Sequence, residues 1–202
     1  RSARESAHGA AAVARRQTLS WLFELYAVRY ATNPRRRTVS NFLSNADVHD
    51  GPMPMDYFVW LAVSGEHAVL IDSGMDEATC RARGHTFLCD PVVAVGRLGV
   101  PSESIQHVIV THMHWDHAGN LDKFPNAQFH IHPQDLGHAC GPHMRHAALR
   151  RPYHVEHVCN AIRLLYREKV SFTGEKTEVV PGITTHHVGG HTPGMQVVSV
   201  HT

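Results

Sequence analysis

Residues 111–120 read Thr-His-Met-His-Trp-Asp-His-Ala-Gly-Asn and follow directly on a short apolar run, QHVIVT at 106–111. The run reads as a buried strand. In an extended backbone, side chains two apart point the same way, so His112 and His114 can reach one common point. Asp116 keeps that parity and His117 is offset by one. A turn after the strand would aim Asp116 and His117 at a neighbouring point. Gly119 removes a side chain where the backbone must turn tightly. Neutral imidazole and carboxylate without thiolate suit Zn²⁺, with Mn²⁺, Fe²⁺ or Co²⁺ as substitutes. Four potential ligands within six residues exceed what a single ion with an open position uses, so the segment predicts two metal ions. Such a pair lowers the pKa of water, polarises a substrate oxygen and steadies a leaving oxygen.

A second segment, Gly189-Gly190-His191-Thr192-Pro193-Gly194, places a histidine between glycines in a tight loop. Alone it is a weak signal. Paired with the first segment it supplies His191 as the third imidazole beside His112 and His114. Histidine is abundant, at 19 of 202 residues, and most of the others need a different explanation. His138, His143, His146, His154 and His157 read as surface residues.

The rest of the chain supplies a scaffold. Residues 1–18, rich in Ala, Arg and Ser, read as a disordered tail, and the domain as 19–202. Residues 19–30 (LSWLFELYAVRY) suit a strand. Residues 57–63 and 68–71 flank Ser64-Gly65-Glu66 and predict a hairpin. Asp90-Pro91 opens a helix that Gly99 can close. Residues 127–131 suit a strand. Val155, Val158, Ile162, Leu165 and Tyr166 fall at helical spacing and predict an amphipathic helix over 154–168. Short strands follow near 177–180, 183–188 and 195–201, with Pro181-Gly182 as a turn. Strands in two groups, with helices between and after them, predict an α/β (α+β) domain of two packed sheets with helices outside.

Composition narrows the partners. The net charge is +1 with His neutral, and no concentrated basic patch of the kind a nucleic acid needs is present. The one basic run, Arg35-Arg36-Arg37, follows Asn33-Pro34 and reads as a solvated loop. No apolar stretch is long enough to span a membrane. Cys80, Cys89, Cys140 and Cys159 form no C-x-x-C pair and no disulfide framework, which predicts a reducing, cytoplasmic setting. Met53, Met55 and Trp115 fit the wall of an apolar pocket and core packing equally well.

Together, THMHWDHAGN and GGHTPG resemble the metallo-β-lactamase superfamily. Asp72 in LIDSG matches a third landmark, an Asp at a strand end beneath the metal site that orients a ligand. Within the superfamily, PMPMDYFVW (52–60), THMHWDHAGNLDKFPNA (111–127) and VVPGITTHHVGGHTPGMQ (179–196) are similar to the N-acyl-homoserine-lactone lactonase-like group. That likeness runs from about residue 19 to the end. It implies an αββα sandwich, two Zn²⁺ ions, and opening of a lactone or other ester by a metal-bound hydroxide. His112, His114, Asp116, His117 and His191 would be the metal ligands, and Asp116 would also pass a proton to the leaving alkoxide. The partner would be a small-molecule lactone, with N-acyl-homoserine lactone first. The oligomeric state is not fixed by any of this.

The resemblance further implies a bridging Asp, a final His and a lactone-binding Tyr downstream of GGHTPG. Only His201 follows His191 as a potential ligand, too early to match either position. The sandwich is therefore expected to be C-terminally incomplete in 19–202, with weak binding of the second ion and low activity. The same motif serves glyoxalase II-like thioesterases, β-lactamases and RNA-processing nucleases, and near-neutral charge weighs against the last. Flavodiiron-type oxidoreductases usually carry Glu where this chain has His114. A catalytically defective metal-binding protein is the alternative of a different class.

Overall fold

Strand residues divide by parity between two apolar cores. In the computed structural model, residues 22–41 and 50–202 are described. Along β2 (Met55–Ser64), Tyr57, Val59 and Leu61 face one core and Ala62 the other. Along β3 (His67–Ile71), Ala68 and Leu70 part from Val69 and Ile71 in the same way. In β5 (His107–Ile109), Val108 and Ile109 do likewise. A strand buried on both faces is apolar at nearly every position, as residues 68–71 of β3 are, whereas β2 still alternates up to Leu61, with Asp56 and Trp60 exposed.

The remaining strands of the large sheet are β1 (Glu24–Asn33), β4 (Thr86–Phe87), β6 (Gln128–Ile131) and β7 (Val170–Phe172). The order is β4-β1-β2-β3-β5-β6-β7. From β4 to β3 neighbours run antiparallel, and from β3 to β7 they run parallel. A second, antiparallel sheet holds β8 (Lys176–Val180), β9 (Ile183–His187) and β10 (Gln196–Val200) in the order β10-β9-β8. Ile183, Val179, Val180, Val198 and Val200 of this sheet meet Phe23, Ala62, Val69, Ile71 and Ile109. On the opposite face of the large sheet lie α1 (Glu77–Ala82), α2 (Pro91–Arg97), α3 (Pro133–Cys140), the short α4 (Ala147–Arg150) and α5 (Val155–Tyr166). Cys80, Val95, Leu136, Ala139 and Ala161 from these helices join the larger core.

The expected elements form, with informative differences. The hairpin closes with Ser64 opposite His67, and Asp90 caps α2 by accepting from the Val92 and Val93 amides at 2.8 and 3.3 Å. The first strand begins at Glu24, later than 19, and runs to Asn33. Residues 19–21 and the tail 1–18 lie outside the described residues. In α5 the buried stripe differs from the one expected. Val155 and Tyr166 are exposed, while His157 and Ala161 are buried. His157 is thus a correction to the surface reading. Its ring packs under the loop at Gly119, with Nε2 3.4 Å from the Asp76 carboxylate. Val158, Ile162 and Leu165 of the expected stripe do pack against the core; a pattern drawn from apolar residues alone cannot register a histidine beside them.

Between the sheets a polar pair interrupts the apolar packing. His107 Nδ1 and His130 Nε2 share a hydrogen bond of 3.0 Å, and burial pushes His130 down to about 4. In the unfolded chain the ring titrates near 6.5, so protonation favours unfolding between those values. The stability this neutral ring contributes is fully present above about pH 6.5 and is lost as pH falls towards 4. Equilibrium unfolding of wild type and His130→Leu across that window should show wild type losing up to about 3 kcal/mol more than the variant. Parallel stability–pH curves would rule this out.

Candidate metal centre

The centre is built at the carboxyl ends of the parallel strands, where β5 gives way to the loop 110–120. His112 and His114 leave this loop side by side, and both are buried. His191 comes from the loop between β9 and β10, and it is exposed. Gly189 and Gly190 there adopt φ of 62° and 87°, which L side chains rarely tolerate. Ligand nitrogens of His112, His114 and His191 lie within 4.8 Å of one another. Their ring centroids are 4.6 Å (112–114), 5.0 Å (112–191) and 4.6 Å (114–191) apart. Among the described residues this is the one such three-residue cluster.

Asp116 and His117 stand beside the trio. The rings of His112 and His117 are 4.0 Å apart, and His117 Nε2 lies 3.3 Å from Asp116 Oδ2. His117 Nδ1 donates to Asp72 Oδ2 at 2.7 Å. Asp72 also accepts from the Thr111 amide at 2.8 Å and its hydroxyl at 2.9 Å. Asp72 thus orients a histidine, as the resemblance implied, and it does so from φ 61°, a conformation Asp adopts more readily than most residues.

Charge follows from this arrangement. Burial, helped by the neighbouring imidazoles, pushes His112 down to about 2 and His114 down to about 4. Both rings are therefore neutral at physiological pH, the form in which imidazole ligates metal. His117 goes the other way. Burial disfavours its charge, but the Asp72 and Asp116 carboxylates outweigh it and raise the ring to about 10. Asp116, opposed by burial and favoured by His117, falls to about 2. An imidazolium between two carboxylates occupies a place where the protein stabilises positive charge.

The donor set fits a metal ion. Three imidazoles converge, and His112 Nε2 is buried with no hydrogen-bond partner. Buried polar nitrogens without a partner are rare in proteins, and a ligated cation would satisfy this one. Neither thiol nor thioether enters the set.

Several residues that hold the loop were not marked out by the sequence. Tyr30, fully buried, donates its hydroxyl to the Asp116 carbonyl at 2.6 Å. Asp135 accepts from the Met113 amide, between the two histidines, at 2.5 Å. The Thr192 hydroxyl and Gly194 amide also lie close enough to stabilise the Asp135 carboxylate's charge, though neither is well directed for a full hydrogen bond. Gln196 donates its side-chain amide to the Val110 carbonyl at 2.8 Å, and its backbone amide to Thr111 at 3.0 Å. Of the three residues considered for an apolar pocket wall, Trp115 lines the cleft at the centre. Met55 packs on the core, and Met53 is exposed.

Residues 53–202 match the family model of the metallo-beta-lactamase superfamily. The chain belongs to this superfamily. An N-acyl homoserine lactonase of Bacillus sp is 27% identical over 164 residues, covering 73% of this chain and 60% of that protein. The lactonase of Bacillus thuringiensis is 26% identical over 160 residues, covering 71% and 58%. The chain therefore spans about three fifths of the length of the curated relatives it matches. Among solved structures, an N-acyl homoserine lactone hydrolase with N-hexanoyl-L-homoserine at its catalytic metal centre superposes with a TM-score of 0.70. It shares 20% identity and covers 91% of this chain and 72% of its own. A dizinc quorum-quenching lactonase superposes at 0.67, with 16% identity and coverage of 89% and 68%. At these identities the structures establish the metallo-β-lactamase fold.

Gly119 is held for a reason the superfamily loop makes plain. Its amide donates to the Gly74 carbonyl at 2.7 Å. A Cβ there would sit 2.6 Å from that oxygen and 2.7 Å from Met75 Cα. The tight turn expected from sequence is instead a close approach of two backbones, at ordinary φ. Gly119→Ala should destabilise the protein by about 1–3 kcal/mol, read from denaturant midpoints. An unchanged midpoint would show that the loops can separate at no cost.

Proposed function

We propose that this chain is a metal-dependent hydrolase of lactones or related esters, with Zn²⁺ as the resident metal. The observation that carries the reading is the convergence of three imidazoles, one with an unpartnered buried nitrogen, beside an open cleft that His114 and His191 line. His112, His114 and His191 would hold one ion. Asp116 and His117 would serve a second, with His117 giving up its proton as the metal enters. Metal in this site would supply Lewis-acid polarisation of a carbonyl and a more acidic water.

The chain's own residues account for the other requirements. Asp72 fixes the His117 ring through Nδ1 and leaves Nε2 facing the centre. Tyr30 and Asp135 pin the loop backbone on either side of His114, so the ligands keep their places while substrate exchanges. Asp116 would take a proton from the attacking water and return it to the leaving alkoxide oxygen. A cyclic ester keeps that alkoxide tethered to its acyl group, and the product is a hydroxy acid. The names of the relatives make N-acyl-homoserine lactone the first substrate to assay.

Metal-loaded protein offered N-acyl-homoserine lactone, a thioester and a β-lactam should open the lactone fastest, with acid release followed by a pH indicator. Preferential cleavage of the thioester or β-lactam would reassign the substrate class, and no cleavage of any would refute the hydrolase reading. His191→Ala should weaken zinc binding at least about 100-fold in a chelator competition. Asp116→Asn, with metal content matched to wild type, should lower kcat by about 100-fold or more. Unchanged kcat with metals retained would remove Asp116 from proton transfer.

A further inference from the structure

The cleft above the centre, about 720 Å³, has the size of a small-molecule site. Its walls are positively charged. Arg36, Arg83 and Arg151 line it together with His114 and His191, and the described lining contains no Asp or Glu. Arg83 is the most constrained of the three. Its guanidinium lies 4.4 Å from the Trp115 ring centroid, and it donates to the Arg151 and Tyr153 carbonyls at 3.1 and 3.2 Å. Three of its five N–H groups are left over.

The support beneath Arg83 is layered. Trp115 stacks on His85 at 5.2 Å, and His85 lies tilted by 35° against Tyr57, also at 5.2 Å. Arg36 bonds the Asn41 side chain and the Ser40 carbonyl, which holds it at the cleft's edge. Arg36 therefore departs from the solvated reading of its basic run, whereas Arg37 pairs with Asp50 at 2.5 Å. Burial and the Arg151 charge both work against the charge on Arg83, and Asp116 is the one carboxylate that acts in its favour. No carboxylate lies within salt-bridge reach of Arg83 among the described residues, and partly desolvated positive charge so weakly compensated is costly, which a bound anion would relieve.

We propose that this cleft binds an anion, and that Arg83, Arg36 and Arg151 receive a carboxylate on the substrate, remote from the bond that is cut. The proposal rests on the hydrolase reading for the identity of the ligand as a substrate. A planar guanidinium fork matches carboxylate geometry, and its pre-organisation on an aromatic face lowers the cost of binding. N-acyl-homoserine lactone carries no anionic group. The subsite therefore favours an ester or lactone whose acyl part bears an acid, and it would set this chain apart from the lactonases it resembles.

The test uses metal-loaded protein and two esters of equal acyl length, the phenyl monoester of glutarate and its neutral methyl-capped counterpart. Glutarate serves as an uncleaved probe in calorimetry. The ratio of kcat/KM for the charged over the neutral ester should exceed about tenfold. It should fall towards one in Arg36→Gln/Arg151→Gln and at high ionic strength. Glutarate affinity should drop about tenfold in the same variant, whose fold is checked by its thermal midpoint. A ratio near one, or glutarate affinity equal in variant and wild type, overturns the anion subsite while leaving hydrolysis standing. If neither ester is cleaved but glutarate still binds wild type about tenfold more tightly than the variant, the subsite holds and the hydrolase reading fails.

Discussion

The loop 110–120 is polar in sequence and mostly buried in structure, and that conflict governs its surroundings. Each buried backbone amide must find an acceptor. Thr111 donates to Asp72, Met113 to Asp135, Trp115 to the Pro152 carbonyl, and Gly119 to the Gly74 carbonyl. The His117 carbonyl accepts from the Ser73 amide at 2.8 Å and its hydroxyl at 3.1 Å. The loop thus gets almost none of its bonding from the β-ladder it leaves. It is held by side chains and turns from five other segments, at Tyr30, 72–74, Asp135, Pro152 and Gln196, and those same bonds aim the imidazoles.

The sheet arrangement explains why these segments are within reach. Where β3 and β5 run parallel, their carboxyl ends open on one edge, and the loops that follow meet there. Gly74 and Ala118 even form an isolated parallel bridge that extends the pairing past the strands. The smaller sheet contributes through Gln196, whose side chain bonds the carbonyl of Val110 across the sandwich. Packing of the two sheets and placement of His191 are therefore one structural event.

Much of the scaffold and the whole three-histidine set were legible in sequence. Period-two parity within a fixed motif brings His112 and His114 together, and glycines around a histidine mark His191. Short strands buried on both faces were legible as apolar runs. What stayed hidden depends on tertiary contact. Asp135 lies in a stretch, HPQDLGHAC, that looks like any polar helix start, and its role exists only because α3 begins under the Met113 amide. His157 is core because Gly119 leaves room for it. Arg83 gains meaning from Trp115, which is 32 positions away in the chain. The two-residue β4 and three-residue β7 are too short for any periodicity to reveal.

His191 lies on the connection before β10, while the groups it joins are in place some 80 residues earlier. A polypeptide leaves the ribosome amino end first. The larger sheet, with the imidazole of His112 already turned inward, can therefore assemble before the segment that completes the trio has been made. The three-histidine set is complete only once the connection between β9 and β10 is in place.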